Sequence, residues 1–216
     1  MSRLLLVRHG ESEWNALGRW QGQADPPLSD HGRHQAAVAA RHLGAVDVVV
    51  ASTLQRARHT ASIVAEALGV GPVLDDARLI ERDAGEWSGL TRAEIKAAWP
   101  GYLAENPEDR WIERRPPGWE PDSSLLVRAE EALCDIADRL GADDTALVVT
   151  HGGVIYALEA RYGAPRRYLP NLGARWIDLT IHDAGPAVSL GERIHLYDPD
   201  RDPYQFDATP PDPQAV

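Results

Sequence analysis

The sequence predicts an α/β sandwich of three layers, with a mostly parallel central sheet covered by helices on both faces. Three observations carry the prediction. Short, wholly apolar runs recur along the chain. Helical patterns separate them. The runs are rich in β-branched residues, as strands buried on both faces are. At 216 residues the chain is long enough for one domain with a sizeable core.

Residues 4–7 (LLLV), 46–51 (VDVVVA) and 146–150 (ALVVT) read as buried strands. A helix over 30–43 follows an N-cap at Ser29. Leu54, Ala57, Ala61, Val64 and Leu68 recur at helical spacing, and Gly69 stops that helix. Leu126, Ala129, Leu133, Ile136 and Leu140 repeat the pattern over 123–140, closed by Gly141. A further helix follows Gly152 and Gly153 and ends near Gly163, and late strands fall at 175–182 and 193–197. The stretch 100–122 has poor periodicity and reads as an insert, of the kind that forms the wall of a site. The domain is predicted over 1–197, and the Pro- and Asp-rich stretch 198–216 as a loose tail.

A formal charge of −11 argues against nucleic acid or an anionic membrane as the main partner, because both reward a basic surface. A small anionic substrate answers to the local field of a pocket and is not excluded. The single cysteine, Cys134, rules out an intramolecular disulfide. It sits at helical spacing with no activating base nearby and reads as a small apolar residue. No apolar run has transmembrane length and the N-terminus carries no signal-peptide pattern, so a cytoplasmic protein is expected. His31, His34, His42 and His59 fall on helical stretches without a ligand pattern. No metal or cofactor is expected, and His34 and His42 read as solvated faces. No exposed apolar stripe marks an oligomer interface, so the oligomeric state stays open.

Two strands end alike. One runs into Arg8, His9 and Gly10, the other into His151, Gly152 and Gly153. In open α/β sheets ligands sit at the carboxyl ends of strands, where two histidines could meet across a crevice. Glycine after each lets the chain turn sharply and exposes backbone N–H groups suited to an anion. The strand at 46–51 leads to Arg56 in the first turn of the next helix. A guanidinium there, beside helix N-terminal amides, can hold phosphate in a bidentate way. Arg58 reads as a solvated surface residue.

Four blocks occur in order over roughly residues 4–155: VRHGESEWN followed by GRWQGQADPPLSDHGRHQA; Ser52, Leu54, Arg56, Ala57, Thr60 and Ala61; LIERDAGEWSGLT; and VVTHGG. Through them the chain resembles the histidine phosphatase superfamily (phosphoglycerate-mutase-like), nearest its broad-specificity phosphatase branch. The resemblance implies hydrolysis of a small phosphorylated metabolite through a phosphohistidine. His9 is then the nucleophile, with its second ring nitrogen held by the Gly10 carbonyl. Arg8, Arg56 and His151 hold the phosphoryl oxygens. Ser12 and Asn15 match further phosphate contacts, while Gln21, Gly22 and Gly152 line the pocket. Glu81 matches the proton donor, with Asp83 and Glu86 as nearby rivals. Trp14 and Trp20 read as packing residues.

Two alternatives remain at this stage. A cofactor-dependent phosphoglycerate mutase uses the same site but returns the phosphoryl group to a second substrate oxygen, and ERRPPGW faintly echoes its insert. A non-catalytic phospho-ligand binding protein usually lacks a catalytic group, whereas His9, both arginines, Glu81 and His151 are all present. One departure bears on substrate preference. Many members carry Gly-Gly-Glu-Ser before the helix near 123, where this chain has Gly118, Trp119, Glu120, Pro121, Asp122 and Ser123. Glu120 is the candidate for the glutamate's place. Arg110, Arg114 or Arg115 is expected to meet a carboxylate or second phosphate of the substrate, and Trp119 an apolar part of it.

Overall fold

In the computed structural model, which describes residues 1–105, 114–141, 143–165, 167–182 and 185–202, six strands form one sheet. They are β1 (Ser2–Arg8), β2 (Val48–Ala51), β3 (Leu74–Asp75), β4 (Thr145–Thr150), β5 (Gly173–His182) and β6 (Gly185–His195). The helices are α1 (Glu13–Ala16), α2 (Asp30–Ala39), α3 (Gln55–Leu68), α4 (Arg92–Ala98), α5 (Asp122–Arg139) and α6 (Gly152–Arg161). The order across the sheet is β3-β2-β4-β1-β5-β6. Pairs β3–β2, β2–β4 and β4–β1 are parallel, whereas β1–β5 and β5–β6 are antiparallel.

The wholly apolar sequence of β1 has a direct cause. Successive side chains of a strand point to opposite faces, and here both faces are covered. Leu4 and Leu6 join Val148, Leu133 and Ile155 in the core under α5 and α6. Leu5 and Val7 join Val149, Ala61 and Val64 in the core under α2 and α3. β4 alternates in the same way, so the two central strands feed two separate cores.

The helix signals acted locally as read. The Ser29 hydroxyl accepts the Gly32 N–H at 2.9 Å, and Gly69 ends α3 in the left-handed region at φ 68°. The last residues of the helix expected over 30–43 tighten into a 3-10 turn at Ala40–His42. The strand expected at 46–51 starts at Val48. The strand expected at 193–197 begins instead at Gly185 and ends at His195. Its early residues include Pro186 and Gly191, which an edge strand tolerates because one side of its ladder is unpaired.

The chain does not leave the domain at 197. A 3-10 turn at Pro199–Arg201 carries Asp202 inward, where it is buried. Its carboxylate lies 2.6 Å from His34 Nε2 and accepts the Tyr197 hydroxyl at 3.0 Å. His34, read as part of a solvated face, is therefore an anchor point. The composition of this stretch misled because its attachment is a buried carboxylate and not an apolar contact. The remainder of the expected tail, 203–216, lies outside the described residues.

Asp202→Ala leaves the Tyr197 hydroxyl and the His34 ring short of a buried partner, a loss of about 1–3 kcal/mol. Urea denaturation should show that loss. Asp200→Ala, at an exposed neighbour, should leave the midpoint unchanged.

Candidate active site

Three parallel strands, β2, β4 and β1, end at one edge of the sheet and deliver the side chains there. Their closing hydrogen bonds run His9 N–H to Thr150 O at 3.0 Å and Ser52 N–H to Val149 O at 2.9 Å. The rings of His9 and His151 are thereby brought to 5.1 Å between centroids, inclined at 61°. Both histidines, Arg8 and Arg56 are buried.

The tautomer of His9 follows from its neighbours. Nδ1 lies 2.6 Å from the Gly10 carbonyl oxygen, which can only accept, so Nδ1 carries the proton. Nε2 then presents a lone pair, and Arg56 Nε–H donates to it at 3.2 Å. Burial, the Arg56 charge and the Arg8 charge hold the His9 pKa well below its ordinary 6.5, against the opposing pull of the Gly10 bond. His151 is held low by burial first, then by Arg56. Its Nε2 meets the Ser52 hydroxyl at 2.7 Å, while the buried Nδ1 has no partner among the described residues.

The two guanidiniums are secured by carbonyl oxygens, not by carboxylates. Arg8 Nη1 donates to Leu169 O at 2.6 Å. Arg56 donates to Ala24 O at 2.8 Å and Gly22 O at 2.9 Å. Burial pushes the Arg56 pKa down to about 10, partly offset by Glu81 and Asp25, so it remains a cation at neutral pH. Two buried cations beside two neutral imidazoles make a site that favours an anion.

Glu81 reaches the same place. Its carboxylate accepts the Arg82 N–H at 2.7 Å and the Gly153 N–H at 3.0 Å. A Cβ on Gly153 would lie 2.2 Å from Glu81 Oε1, so only glycine lets the carboxylate close on α6. Of the rivals, Asp83 Oδ1 is taken by the Gly85 N–H at 2.8 Å. The glycine amides differ from the expectation of open anion donors. Gly10 N–H donates to Thr60 Oγ1 at 3.0 Å, and that of Gly153 is given to Glu81. Gly10 serves by close approach: its Cβ would stand 2.6 Å from the Gly32 carbonyl oxygen, where α2 packs backbone on backbone.

The remaining expected residues form a supporting chain. Ser12 caps α1, its hydroxyl accepting the Asn15 N–H at 3.1 Å and donating to Gln21 Oε1 at 2.7 Å. Asn15 Oδ1 accepts the Ser12 N–H at 3.2 Å. Gly22 bends at φ 52° against Ala84, which turns its carbonyl to Arg56. Gly152 opens α6 beside Arg8. Trp20 packs with Trp87 and Trp119, and Trp14 lies against Gly89. Arg115 stacks 4.7 Å from the Trp119 ring, and Arg114 sits 5.9 Å from Tyr102. Arg110 lies outside the described residues. Burial raises the Cys134 thiol pKa, helped by nearby acids, which suits a packing role.

Sequence reasoning missed Asn171, whose Nδ2 donates to His9 O at 2.9 Å and to Asn15 Oδ1 at 3.4 Å. The next residue, Leu172, is held at φ 56° while its N–H donates to Arg8 O at 3.0 Å. A single short polar residue between helix and strand gives no signal of such a contact.

The model of the histidine phosphatase superfamily (branch 1) matches residues 4–186. Glucosyl-3-phosphoglycerate phosphatase of Mycolicibacterium vanbaalenii is 38% identical over 214 residues, covering 90% of this chain and 93% of that protein. A 2,3-bisphosphoglycerate-dependent phosphoglycerate mutase of Methylobacterium radiotolerans is 37% identical over 166 residues, covering 73% and 78%. Among solved structures, mycobacterial glucosyl-3-phosphoglycerate phosphatase in complex with VO3 superposes with a TM-score of 0.75 at 30% identity, covering 89% of this chain and 98% of that one. The chain belongs to the histidine phosphatase superfamily. It is an enzyme of the phosphatase kind acting on a small phosphorylated metabolite. Among the described residues, no helix is long and apolar enough to cross a membrane.

The neutral histidines give a stability signature. In the unfolded chain they take up protons near pH 6.5, while in the folded protein they do not. The unfolded state therefore binds more protons below that pH, and stability falls as pH drops through it. Each ring accounts for about 1 kcal/mol of the loss between roughly pH 6.5 and 5.5. In phosphate-free buffer, His151→Gln should reduce the loss by about that amount. An unchanged pH dependence would show that His151 is not held neutral.

Proposed function

We propose that the protein hydrolyses phosphomonoesters through a phosphohistidine on His9. The single observation that carries this reading is the fixed, unprotonated Nε2 of a buried histidine, bonded to the buried Arg56 guanidinium and within the field of the buried Arg8. In the first step Nε2 attacks phosphorus and Glu81 gives its proton to the leaving oxygen, so an alcohol departs. In the second step Glu81 takes a proton from water, whose oxygen attacks the phosphohistidine, and inorganic phosphate leaves with His9 restored. Arg8, Arg56 and His151 Nδ1 hold the three phosphoryl oxygens as charge shifts among them. Arg56 Nε–H leaves His9 Nε2 for one of these oxygens when substrate arrives. Asn15, steadied by Ser12, is a further phosphate contact, and Gln21, Gly22 and Gly152 shape the pocket wall. For the substrate, a phosphoglycerate derivative is favoured because the match to a glucosyl-3-phosphoglycerate phosphatase runs through nearly the whole of both chains. Arg115, stacked on Trp119, is the candidate to meet its carboxylate.

Phosphorus NMR tests this with a panel containing glucosyl-3-phosphoglycerate, phosphoserine, glycerol phosphate and 3-phosphoglycerate, the last with and without 2,3-bisphosphoglycerate. Inorganic phosphate should appear and vanish in His9→Ala. Formation of 2-phosphoglycerate with little free phosphate would instead make the protein a mutase, the activity named for several relatives at similar identity. Glu81→Gln should lower turnover of alkyl phosphates by roughly 10²–10⁴ and that of p-nitrophenyl phosphate far less.

Gly153→Ala offers a separate check. The nearest atoms to the added methyl are the end of the Glu81 side chain and the Arg82 Cβ, and the backbone there lies in an ordinary region. Folding stability should change by less than about 1 kcal/mol. Alkyl phosphate turnover should nevertheless fall by about 10- to 100-fold, because the carboxylate is displaced. Full activity would show that the approach of Glu81 to Gly153 is dispensable.

A further inference from the structure

The segment that carries Glu81 has no sheet of its own to hold it. It runs between two 3-10 turns, Ala77–Leu79 and Gly85–Trp87. Yet four successive carbonyls, those of Arg78 and Leu79 in the first turn and of Ile80 and Glu81 after it, accept bonds from side chains elsewhere in the fold. Arg128 on α5 supplies most of them: Nη1 donates to Arg78 O and Ile80 O, each at 2.6 Å, and Nη2 to Glu81 O at 3.1 Å. Thr150, at the end of β4 next to His151, donates to Leu79 O at 2.8 Å.

Arg128 is itself fixed. Glu120 takes it bidentately, Nε to Oε1 at 2.8 Å and Nη2 to Oε2 at 2.7 Å. The same Glu120 grips the far side of the loop. Its Oε2 accepts the Asp83 N–H at 3.2 Å, and its backbone exchanges bonds with Asp83 O at 3.0 Å and Arg82 Nη1 at 2.7 Å. Burial disfavours charge on Glu120, but the Arg128 hydrogen bonds and charge outweigh it and hold its pKa below the usual carboxylate range. Both side chains are largely shielded from water, at 17% and 11% exposure. A rigid guanidinium fork matches this job, since one planar group meets three carbonyls and a carboxylate together.

We propose that Arg128 and Glu120 are a positioning pair, which sets the reach of the Glu81 carboxylate toward the substrate without touching the substrate. The proposal rests on the reading of Glu81 as proton donor. A carboxylate misplaced by about 1 Å can lose on the order of 10²-fold in rate, and that loss is confined to substrates that need the proton.

The test is steady-state kinetics on glycerol phosphate and p-nitrophenyl phosphate, for the wild type, Arg128→Met, Arg128→Lys, Glu120→Gln, Glu81→Gln and the double variant Glu81→Gln/Arg128→Met. Arg128→Met should lower kcat for glycerol phosphate by about 10- to 100-fold, but for p-nitrophenyl phosphate by less than about 3-fold, with KM for the latter nearly unchanged. Glu120→Gln, the milder change should Arg128→Met fold poorly, should show the same selectivity to a smaller degree. Arg128→Lys keeps the charge but not the fork, and should recover little. The double variant should be no slower than Glu81→Gln, because a loop without its carboxylate has nothing left to position. Equal losses on both esters, additive losses in the double variant, or full recovery by lysine would each overturn the proposal. If Glu81→Gln itself lost equally on both esters, the failure would lie in the proton-donor reading beneath it.

Discussion

A buried guanidinium must give its protons to something, and the placement of Arg56 organises this site around that requirement. Its Nε faces His9 Nε2, and its two other nitrogens take carbonyls from the Gly22–Ala24 turn. That turn is thereby tied to the start of α3. The backbone carbonyl of Arg56 accepts the Thr60 hydroxyl, and Thr60 in turn holds the Gly10 amide. One residue thus holds the His9 ring and the Gly22–Ala24 turn through its side chain, and the turn after β1 through its backbone. Arg8 does the equivalent for the loop at 169–172. Because the partners are neutral carbonyls, the positive charge is left uncancelled and available to an anion.

The electrostatics and the chain topology reinforce one another. Burial first, and the two buried cations after it, keep the imidazoles neutral, and a neutral imidazole is the form that can attack phosphorus. The cations can lie side by side only because three parallel strands end together. Each strand contributes one or two groups, and no single loop could carry them all.

Much of this was legible in the chain. Apolar runs announced β1, β2 and β4, because a strand covered on both faces has no polar alternation to hide it. The groups at the ends of those strands were legible for the same reason, since they follow the runs directly. What stayed hidden depended on distant pairing. Asn171 is an ordinary loop asparagine until β5 brings it beside His9. Arg128 is one more charged residue on α5 until the Glu81 loop crosses it. Asp202 sits in a stretch that reads as tail, and only the fold supplies His34 and Tyr197 as its partners. The long edge strand β6 reads as short because a proline and two glycines that would break a central strand are harmless there.

The glycines show how geometry can pass for chemistry. Gly32 contributes no functional group, yet a Cβ there would fall 1.9 Å from the Glu11 carbonyl oxygen, inside the backbone just after His9. At Gly153 the same atom would collide only with the flexible tip of the Glu81 side chain, and rest in ordinary contact with the Arg82 Cβ. On the proposed mechanism, a saturation scan scored by enzymatic output ranks both positions with His9. Scored by cellular abundance, it would part them: Gly32 behaves as a folding residue, whereas Gly153 keeps company with the histidine.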